Sequence, residues 1–114
     1  MGNQANQMQI SMFLTQIKQL LAAGRVDFVP RRKNLQSLAR YGLTILDAKY
    51  MLSKLDISDY KKGPKADFDP SRPGEIWEFK KNMNGISFYI KLKIAMENDE
   101  SILRCLGFHE DDFA

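Results

Sequence analysis

The sequence contains very few of the residues that build disulfide-linked or zinc-stabilised folds. Among its 114 residues there is one cysteine, Cys105, and one histidine, His109. A single cysteine excludes an internal disulfide, and one Cys with one His is too few for a structural zinc site of the usual Cys/His kind. The fold must therefore rest on a hydrophobic core, which a chain of this length is able to bury.

Long apolar runs are also missing. No stretch approaches the roughly 18 apolar residues that span a membrane, and the first residues lack the basic and apolar regions of a secretory signal. The hydrophobic content of 44% and charged content of 27% are typical of a globular domain. We therefore expect a cytoplasmic protein without membrane association. Residues 1–9 are expected to be a flexible polar tail, and residues 10–114 a single domain.

The net charge is small but unevenly distributed. The chain has 17 Lys and Arg against 14 Asp and Glu, a net charge of +3. Residues 1–65 carry eleven basic and four acidic side chains, whereas residues 66–114 carry six basic and ten acidic ones. This asymmetry indicates an anionic partner such as nucleic acid, and an unevenly charged solvated surface is the alternative explanation.

Apolar residues at helical spacing predict three helices in the first half of the chain. The first ends at Gly24 and the second at Gly42, with a short extended segment at 26–30 between them. The third begins at Thr44, which is expected to cap it together with Asp47. The apolar positions that define the helices are Ile10, Phe13, Leu14, Ile17, Leu20 and Leu21, then Leu35, Leu38 and Ala39, then Ile45, Ala48, Leu52 and Leu55.

The second half of the chain has the pattern of strands. Three of the four prolines fall within 61–74, so this segment is expected to be a loop without regular structure. Strands are predicted over 75–81, 87–95 and 101–108, and Asn84-Gly85 is a typical hairpin turn. Helices followed by an antiparallel meander predict an α+β fold. Its N-terminal helices pack on one face of a small C-terminal antiparallel sheet.

A two-residue turn at Asn84-Gly85 determines which hairpin residues share a face. It pairs Trp77 with Leu92 and Glu78 with Lys91, so that an apolar face packs against the helices. That core face carries Trp77, Phe79, Phe88, Ile90, Leu92 and Ile94, and the opposite face carries Glu78, Lys80, Tyr89, Lys91 and Lys93. Three lysines beside a tyrosine suit a phosphate backbone and a stacked base. A solvated face with cross-strand ion pairs is the simpler alternative.

The position of His109 depends on the loop before the last strand. Strict alternation puts Ile102, Arg104, Leu106 and Phe108 on one face, and Leu103, Cys105, Gly107 and His109 on the other. A loop of odd length near residue 98 would place His109 beside Tyr89, and an even loop would place it at the edge of the core. The apolar Leu106 and Phe108 belong with the core, which favours the odd loop.

Five short segments follow one another in a distinctive order. They are YKKGP at 60–64, PGEIWEF at 73–79, NG at 84–85, YIKLK at 89–93 and CLGFH at 105–109. This arrangement resembles the MqsR family of toxins from bacterial toxin–antitoxin pairs. The resemblance covers about residues 10–110 and is most specific from Gly63 to Lys93.

The resemblance implies a RelE-like fold and a metal-independent mRNA endoribonuclease without cofactors. Its implied partners are single-stranded mRNA, free or on the ribosome, and a cognate antitoxin protein. By motif, the functional residues of the family fall on Lys62, Glu78, Tyr89 and His109, with Lys61 as an alternative to Lys62. The best-known member has Gln in place of Glu78 and Lys in place of His109.

Cleavage of RNA needs no metal when the 2′-hydroxyl attacks the neighbouring phosphate. On this hypothesis Glu78 is the general base, His109 is the general acid, and Tyr89 positions a base or phosphate. Lys62 and Lys91 neutralise the charge that develops on phosphorus. The predicted RNA-binding residues are Lys61, Lys80, Lys91, Lys93, Arg31 and Arg32.

A second class of function fits the same residues. A non-catalytic regulator or interaction module of phage origin would bind nucleic acid or a protein through the basic sheet face. A relative that has lost activity would keep both the fold and the charge. Metal-free cleavage of single-stranded RNA that depends on Glu78 and His109 separates the two hypotheses.

Overall fold

Helices fill the first half of the chain and strands the second, as the sequence patterns predicted. The computed structural model describes residues 4–67, 69 and 71–111. The helices are α1 (Gln7–Ala22), α2 (Arg32–Arg40) and α3 (Ile45–Ser53), followed by a 3₁₀ turn at Ile57–Asp59. The strands are β1 (Val26–Phe28), β2 (Tyr60–Ala66), β3 (Glu75–Met83), β4 (Ile86–Glu97) and β5 (Glu100–Glu110). None of the described helices has the length and apolarity needed to cross a bilayer.

The five strands form one sheet in the order β1-β5-β4-β3-β2. The three neighbouring pairs from β2 to β5 are antiparallel, whereas β1 runs parallel to β5. The α+β class is therefore confirmed, but the prediction of a purely antiparallel sheet is wrong. The short segment after α1 joins the sheet because it satisfies the free backbone edge of β5. The main-chain N–H of Leu103 donates to Arg25, and that of Val29 donates to Cys105.

The core lies between the helices and one face of the sheet. Ile17 of α1 and Leu52 of α3 are fully buried, as are Phe79 and Ile90 on the sheet. The ring of Phe13 stacks on Trp77 with centroids 4.3 Å apart. Burial of this apolar surface is the main favourable term for folding in a chain without disulfides.

The β3–β4 hairpin has the predicted register. Trp77 pairs with Leu92 and Glu78 with Lys91. The turn residues Asn84 and Gly85 have φ values of 54° and 81°. Positive φ at both central positions is the requirement of the type I′ turn, which suits the twist of the two strands.

The first helix begins inside the segment that was predicted to be a tail. Asn6 caps α1 and exchanges reciprocal hydrogen bonds with Gln9, so that ordered structure includes residues 4–9. Ala5 is buried, and its main-chain N–H donates to the Tyr60 hydroxyl at 3.0 Å. Residues 1–3 of the predicted tail lie outside the described residues.

The prediction of a loop over 61–74 is wrong in its first half, because β2 runs through it as an edge strand. Pro64 is tolerated there because an edge strand has one side without ladder hydrogen bonds. Gly63, joined to Pro64 by a cis peptide bond, has φ 118°. A Cβ at this position would lie 2.6 Å from the carbonyl oxygen of Ile76, so only glycine fits against β3.

Candidate active site

A carboxylate lies at the centre of the sheet face that points away from the helices. Glu78 is only 5% exposed. Its Oε1 accepts a hydrogen bond from the Tyr89 hydroxyl at 2.7 Å and lies 4.0 Å from Lys62 Nζ. Its Oε2 is in direct contact with Lys65 Nζ. We call Lys62, Lys65, Glu78, Tyr89 and His109 the active row.

Strand pairing explains why the lysines reach Glu78. Lys62 lies directly opposite Glu78 in the β2–β3 ladder. An irregularity follows in β2, so that the next paired residue, Lys65, lies opposite Ile76. Sequence reasoning missed Lys65, because β2 was assigned to a loop and a strand of regular alternation would not bring both lysines to one carboxylate.

The surroundings of Glu78 keep it ionised at neutral pH. Burial by itself raises the pKa of the carboxyl, but the hydrogen bonds from Lys65 and Tyr89 and the nearby charges outweigh it. The net result is a pKa below the ordinary value of 4.5. Glu78 is therefore a hydrogen-bond acceptor that holds Tyr89 and the two lysines in place.

Tyr89 remains a hydrogen-bond donor under the same conditions. Burial and the hydrogen bond to Glu78 raise its pKa well above the ordinary value of 10.0. Gly107 in the neighbouring strand leaves space for Lys91 rather than for the Tyr89 ring, since only the contact of an added Cβ with Lys91 would be tight. A Cβ on Gly107 would lie 3.6 Å from Tyr89 Cε2 and 3.2 Å from Lys91 Cβ.

His109 lies beside Tyr89, although the loop that precedes its strand is even. Glu97 pairs with Glu100 across a two-residue turn, so the expectation of an odd loop is wrong. Because the loop is even, Leu103 and Cys105 face the helices and are fully buried. Strict alternation from Cys105 would then have put His109 on the core face as well.

A β-bulge at Leu106 moves His109 to the other face. Lys91 pairs with Gly107 while the next residue of β4, Leu92, pairs with Cys105. Leu106 is therefore an extra residue, and the alternation reverses after it. As a result His109 lies opposite Tyr89, with ring centroids 5.1 Å apart.

Helix α2 supports the end of β5 that carries His109. Asn34, which is 1% exposed, accepts a hydrogen bond from the Phe108 N–H at 2.9 Å and donates to the Leu106 carbonyl at 3.2 Å. The Ser37 hydroxyl accepts from the Glu110 N–H at 3.0 Å. These two side chains form hydrogen bonds with the main-chain groups at the edge of β5, beyond the point where β1 ends. The signal that would have found them is a pair of polar residues one helical turn apart in α2.

The ring of His109 is also oriented locally. Nδ1 lies 3.0 Å from the carbonyl oxygen of Glu110. A carbonyl oxygen only accepts, so this hydrogen bond needs the proton on Nδ1. Nε2 is then the nitrogen through which the half-buried ring can exchange a proton with a ligand.

The predicted RNA-binding lysines occupy three different environments. Lys61 is exposed on β2, and Lys91 is half-buried opposite Glu78. Lys80 pairs with Asp111 at 2.5 Å. Lys93 is buried and pairs with Asp67 at 3.1 Å.

The two predicted RNA-binding arginines are adjacent in the chain. Arg31 and Arg32 are both exposed at the beginning of α2. Arg31 lines a cleft beside the active row, together with Lys91 and Lys93. Of the residues predicted from the sequence, the structure brings Lys62, Glu78, Tyr89 and His109 together in the active row.

Other reactive groups are placed away from this surface or are too few to bind a metal. Within residues 4–67, 69 and 71–111, no group of three or more His, Cys, Asp or Glu side chains is arranged to hold a metal ion. Cys105 is buried in the core, and burial raises the pKa of its thiol to about 12. Such a thiol stays protonated and is a poor nucleophile.

No protein-family model matches this sequence. No curated protein matches it either. The arrangement of the active row and the resemblance carried by the sequence motifs are therefore what point to a function.

Proposed function

We propose that the protein is a metal-independent endoribonuclease of the MqsR type with a RelE-like fold. It would cleave single-stranded mRNA in the cytoplasm and be neutralised by a cognate antitoxin. The observation that carries the proposal is the active row, in which a buried carboxylate, a tyrosine, a histidine and two lysines meet on one sheet face. These are the groups that phosphodiester cleavage by an internal hydroxyl requires.

Glu78 takes the role of general base in this proposal. Its carboxylate accepts the proton of the ribose 2′-hydroxyl while the 2′ oxygen forms a bond to the adjacent phosphorus. The lowered pKa of Glu78 makes it a weak base, so proton transfer occurs as the O–P bond forms rather than before it. Tyr89 remains protonated and donates a hydrogen bond to the carboxylate or to a phosphate oxygen.

His109 takes the role of general acid. In the imidazolium form, in which Nδ1 and Nε2 both carry a proton, Nε2–H donates the proton that the 5′ oxygen needs when the P–O5′ bond breaks. The products are a 2′,3′-cyclic phosphate and a free 5′-hydroxyl. Lys62 and Lys91 neutralise the negative charge that builds up on the phosphorane oxygens. We add Lys65 to the predicted set, because its contact with Glu78 fixes the carboxylate.

The ion pairs of the same face support a non-catalytic binding module as the second candidate. Lys80 and Lys93 are already paired with carboxylates, and Glu78 is held by Lys65. A face of this kind also forms a stable binding surface for nucleic acid or for an acidic protein. The two functions differ in whether Glu78 and His109 are needed for covalent cleavage.

The deciding experiment is incubation of the purified protein with a long single-stranded RNA in EDTA. We expect discrete cuts that leave 2′,3′-cyclic phosphate or 3′-phosphate ends. Glu78→Gln and His109→Ala should each lower the cleavage rate by about 100- to 10,000-fold, the usual contribution of general acid–base groups. Lys18→Gln, which removes an exposed charge from α1, is the matched control and should cleave at the wild-type rate.

The same assay with translating ribosomes covers a substrate that is cut only during translation. RNA that stays intact in both assays would contradict an endoribonuclease and favour the binding module. Cleavage that persists in both variants would show that the cut is made elsewhere. Thermal unfolding of each variant shows whether a lost rate reflects lost fold.

A further inference from the structure

A cleft of about 780 Å³ opens on the sheet face next to the active row. Its walls are β4 and β5 on one side and the segment around 72–74 on the other. The volume falls within the range of small-ligand sites, about 300–1,000 Å³. Its apolar lining on this face of the sheet includes Ala95 and Leu106.

The charges around the cleft favour an anion. Five basic and three acidic side chains line it. Three of the basic groups are paired: Lys93 with Asp67, Arg72 with Asp69, and Arg104 with Asp27. The other two are Arg31 and Lys91, and neither has an acidic partner within salt-bridge distance in the part of the chain that the structure describes. Two unneutralised cations thus flank a partly apolar lining.

Arg104 provides a fixed guanidinium plane in this cleft. Its Nη1 donates to Asp27 at 2.6 Å and its Nη2 donates to Glu97 at 3.1 Å. Two carboxylates on different sides of one guanidinium restrict its rotation. A restricted guanidinium plane is a surface on which an unpaired base can stack.

The cleft is continuous with the active row through Lys91. This residue lines the cleft and also lies opposite Glu78 in the β3–β4 ladder. A nucleic acid strand whose phosphate lies at Glu78 would therefore have its neighbouring nucleotide at the cleft. A single strand fits better than a duplex, because only an unpaired base can enter such a site.

We propose that this cleft is a nucleotide subsite for single-stranded RNA. The base of the nucleotide next to the scissile phosphate stacks on Arg104 beside the apolar lining, and Arg31 and Lys91 contact its phosphates. That the phosphate at Glu78, next to this nucleotide, is the one that is cleaved rests on the proposed endoribonuclease function. The subsite itself requires only that RNA is bound, with or without cleavage.

Binding of an uncleavable RNA tests the subsite without any reaction. The probe is a short single-stranded 2′-O-methyl RNA of mixed sequence, which has no free 2′-hydroxyl to attack. Arg104→Lys keeps the charge but removes the stacking plane, and we expect it to weaken binding about tenfold. Arg40→Lys makes the same change at an exposed arginine outside the cleft and should bind as the wild type does.

Salt dependence provides a second variant that does not disturb the sheet. Arg31 is exposed at the beginning of α2, so Arg31→Gln should fold normally. Loss of one phosphate contact should reduce the slope of log K against log salt by about 0.7. Lys18→Gln, which removes a charge from the opposite side of the molecule, should leave the slope unchanged.

The outcomes separate the subsite from the endoribonuclease. Weaker binding by both variants in a protein that cuts no RNA would support the subsite and remove the cleavage proposal. Normal cleavage, with affinity, salt slope and cut-site sequences unchanged in both variants, would overturn the subsite alone. Tight binding of an acidic peptide that the RNA does not displace would also overturn it, because the cleft would then accept a protein partner.

Discussion

The two faces of the sheet differ in what holds their side chains in place. On the helix-facing side, Phe79 and Ile90 have no exposed surface and belong to the apolar core. On the opposite side, Glu78 and Lys93 are each only 5% exposed but contact groups of opposite charge. Apolar burial is non-directional, whereas a buried charge needs a specific partner.

This difference supports the proposal that the charged face is the functional one. Burying a glutamate and a lysine contributes little to stability, because removing charges from water is costly even when they are paired. Local departures from the simplest stabilising choice are concentrated at functional sites. The charged face, with the active row and the cleft, is therefore where the argument for activity lies.

The largest expected effect on stability comes from truncating an apolar side chain on the helix-facing side of the sheet. Phe79→Ala should lower the free energy of unfolding by about 4 kcal/mol, because it removes a fully buried ring and leaves a cavity. Urea denaturation measures the change. Leu46→Ala, at a side chain that is 76% exposed, is the control and should change stability by less than about 0.5 kcal/mol. A loss below about 1 kcal/mol for Phe79→Ala would contradict a close-packed core at this position.

A smaller effect is expected when one buried charge loses its partner. Asp67→Ala should lower the free energy of unfolding, because it leaves the buried Lys93 ammonium hydrogen-bonded to the Arg72 carbonyl but without its carboxylate. Adding Lys93→Met should restore most of the loss, since a neutral side chain needs no counter-charge. Urea denaturation of the single and double variants measures the difference. A double variant less stable than Asp67→Ala would show that Lys93 contributes by more than its ion pair.

The smallest effect is the pH dependence that Glu78 contributes to stability. Its pKa in the folded protein lies below the ordinary value of 4.5, so the unfolded chain binds the proton more tightly. The contribution is complete above pH 4.5 and is lost as the pH falls through the folded value. Glu78→Gln should therefore lose less stability on acidification than the wild type. The free energies of unfolding of both proteins, measured from neutral pH downwards, provide the test. If the free energies of unfolding of the two proteins fell in parallel with pH, the lowered pKa of Glu78 would be contradicted.

The hairpin that carries Glu78 and Tyr89 was predictable residue by residue. A two-residue turn with positive φ at Asn84 and Gly85 permits one register, and strand alternation then assigns every side chain to a face. The apolar positions of α1 and α3 were equally clear, because their spacing leaves one stripe for the core. Local rules were sufficient for these elements.

The position of His109 shows where local rules stop. Regular alternation in β5 predicts a place beside Tyr89 only after an odd loop, whereas the structure has an even turn followed by a bulge at Leu106. The bulge occurs where β1 ends and Asn34 of α2 takes over the hydrogen bonds of the β5 edge. The sequence pattern of β5 does not predict that contact, because Asn34 lies 72 residues from Leu106 in the chain.

By itself, the sequence determined the α+β class, the hairpin register and the separation of an apolar from a charged sheet face. These features depend on periodicity and turn chemistry, which act between residues close in the chain. Only the tertiary structure decided that β2 forms an edge strand through Pro64, that Lys65 contacts Glu78, and that Arg31 and the segment at 72–74 line one cleft. These arrangements depend on irregular strand pairing and on contacts between distant segments, and their energies exist only once the elements have packed together.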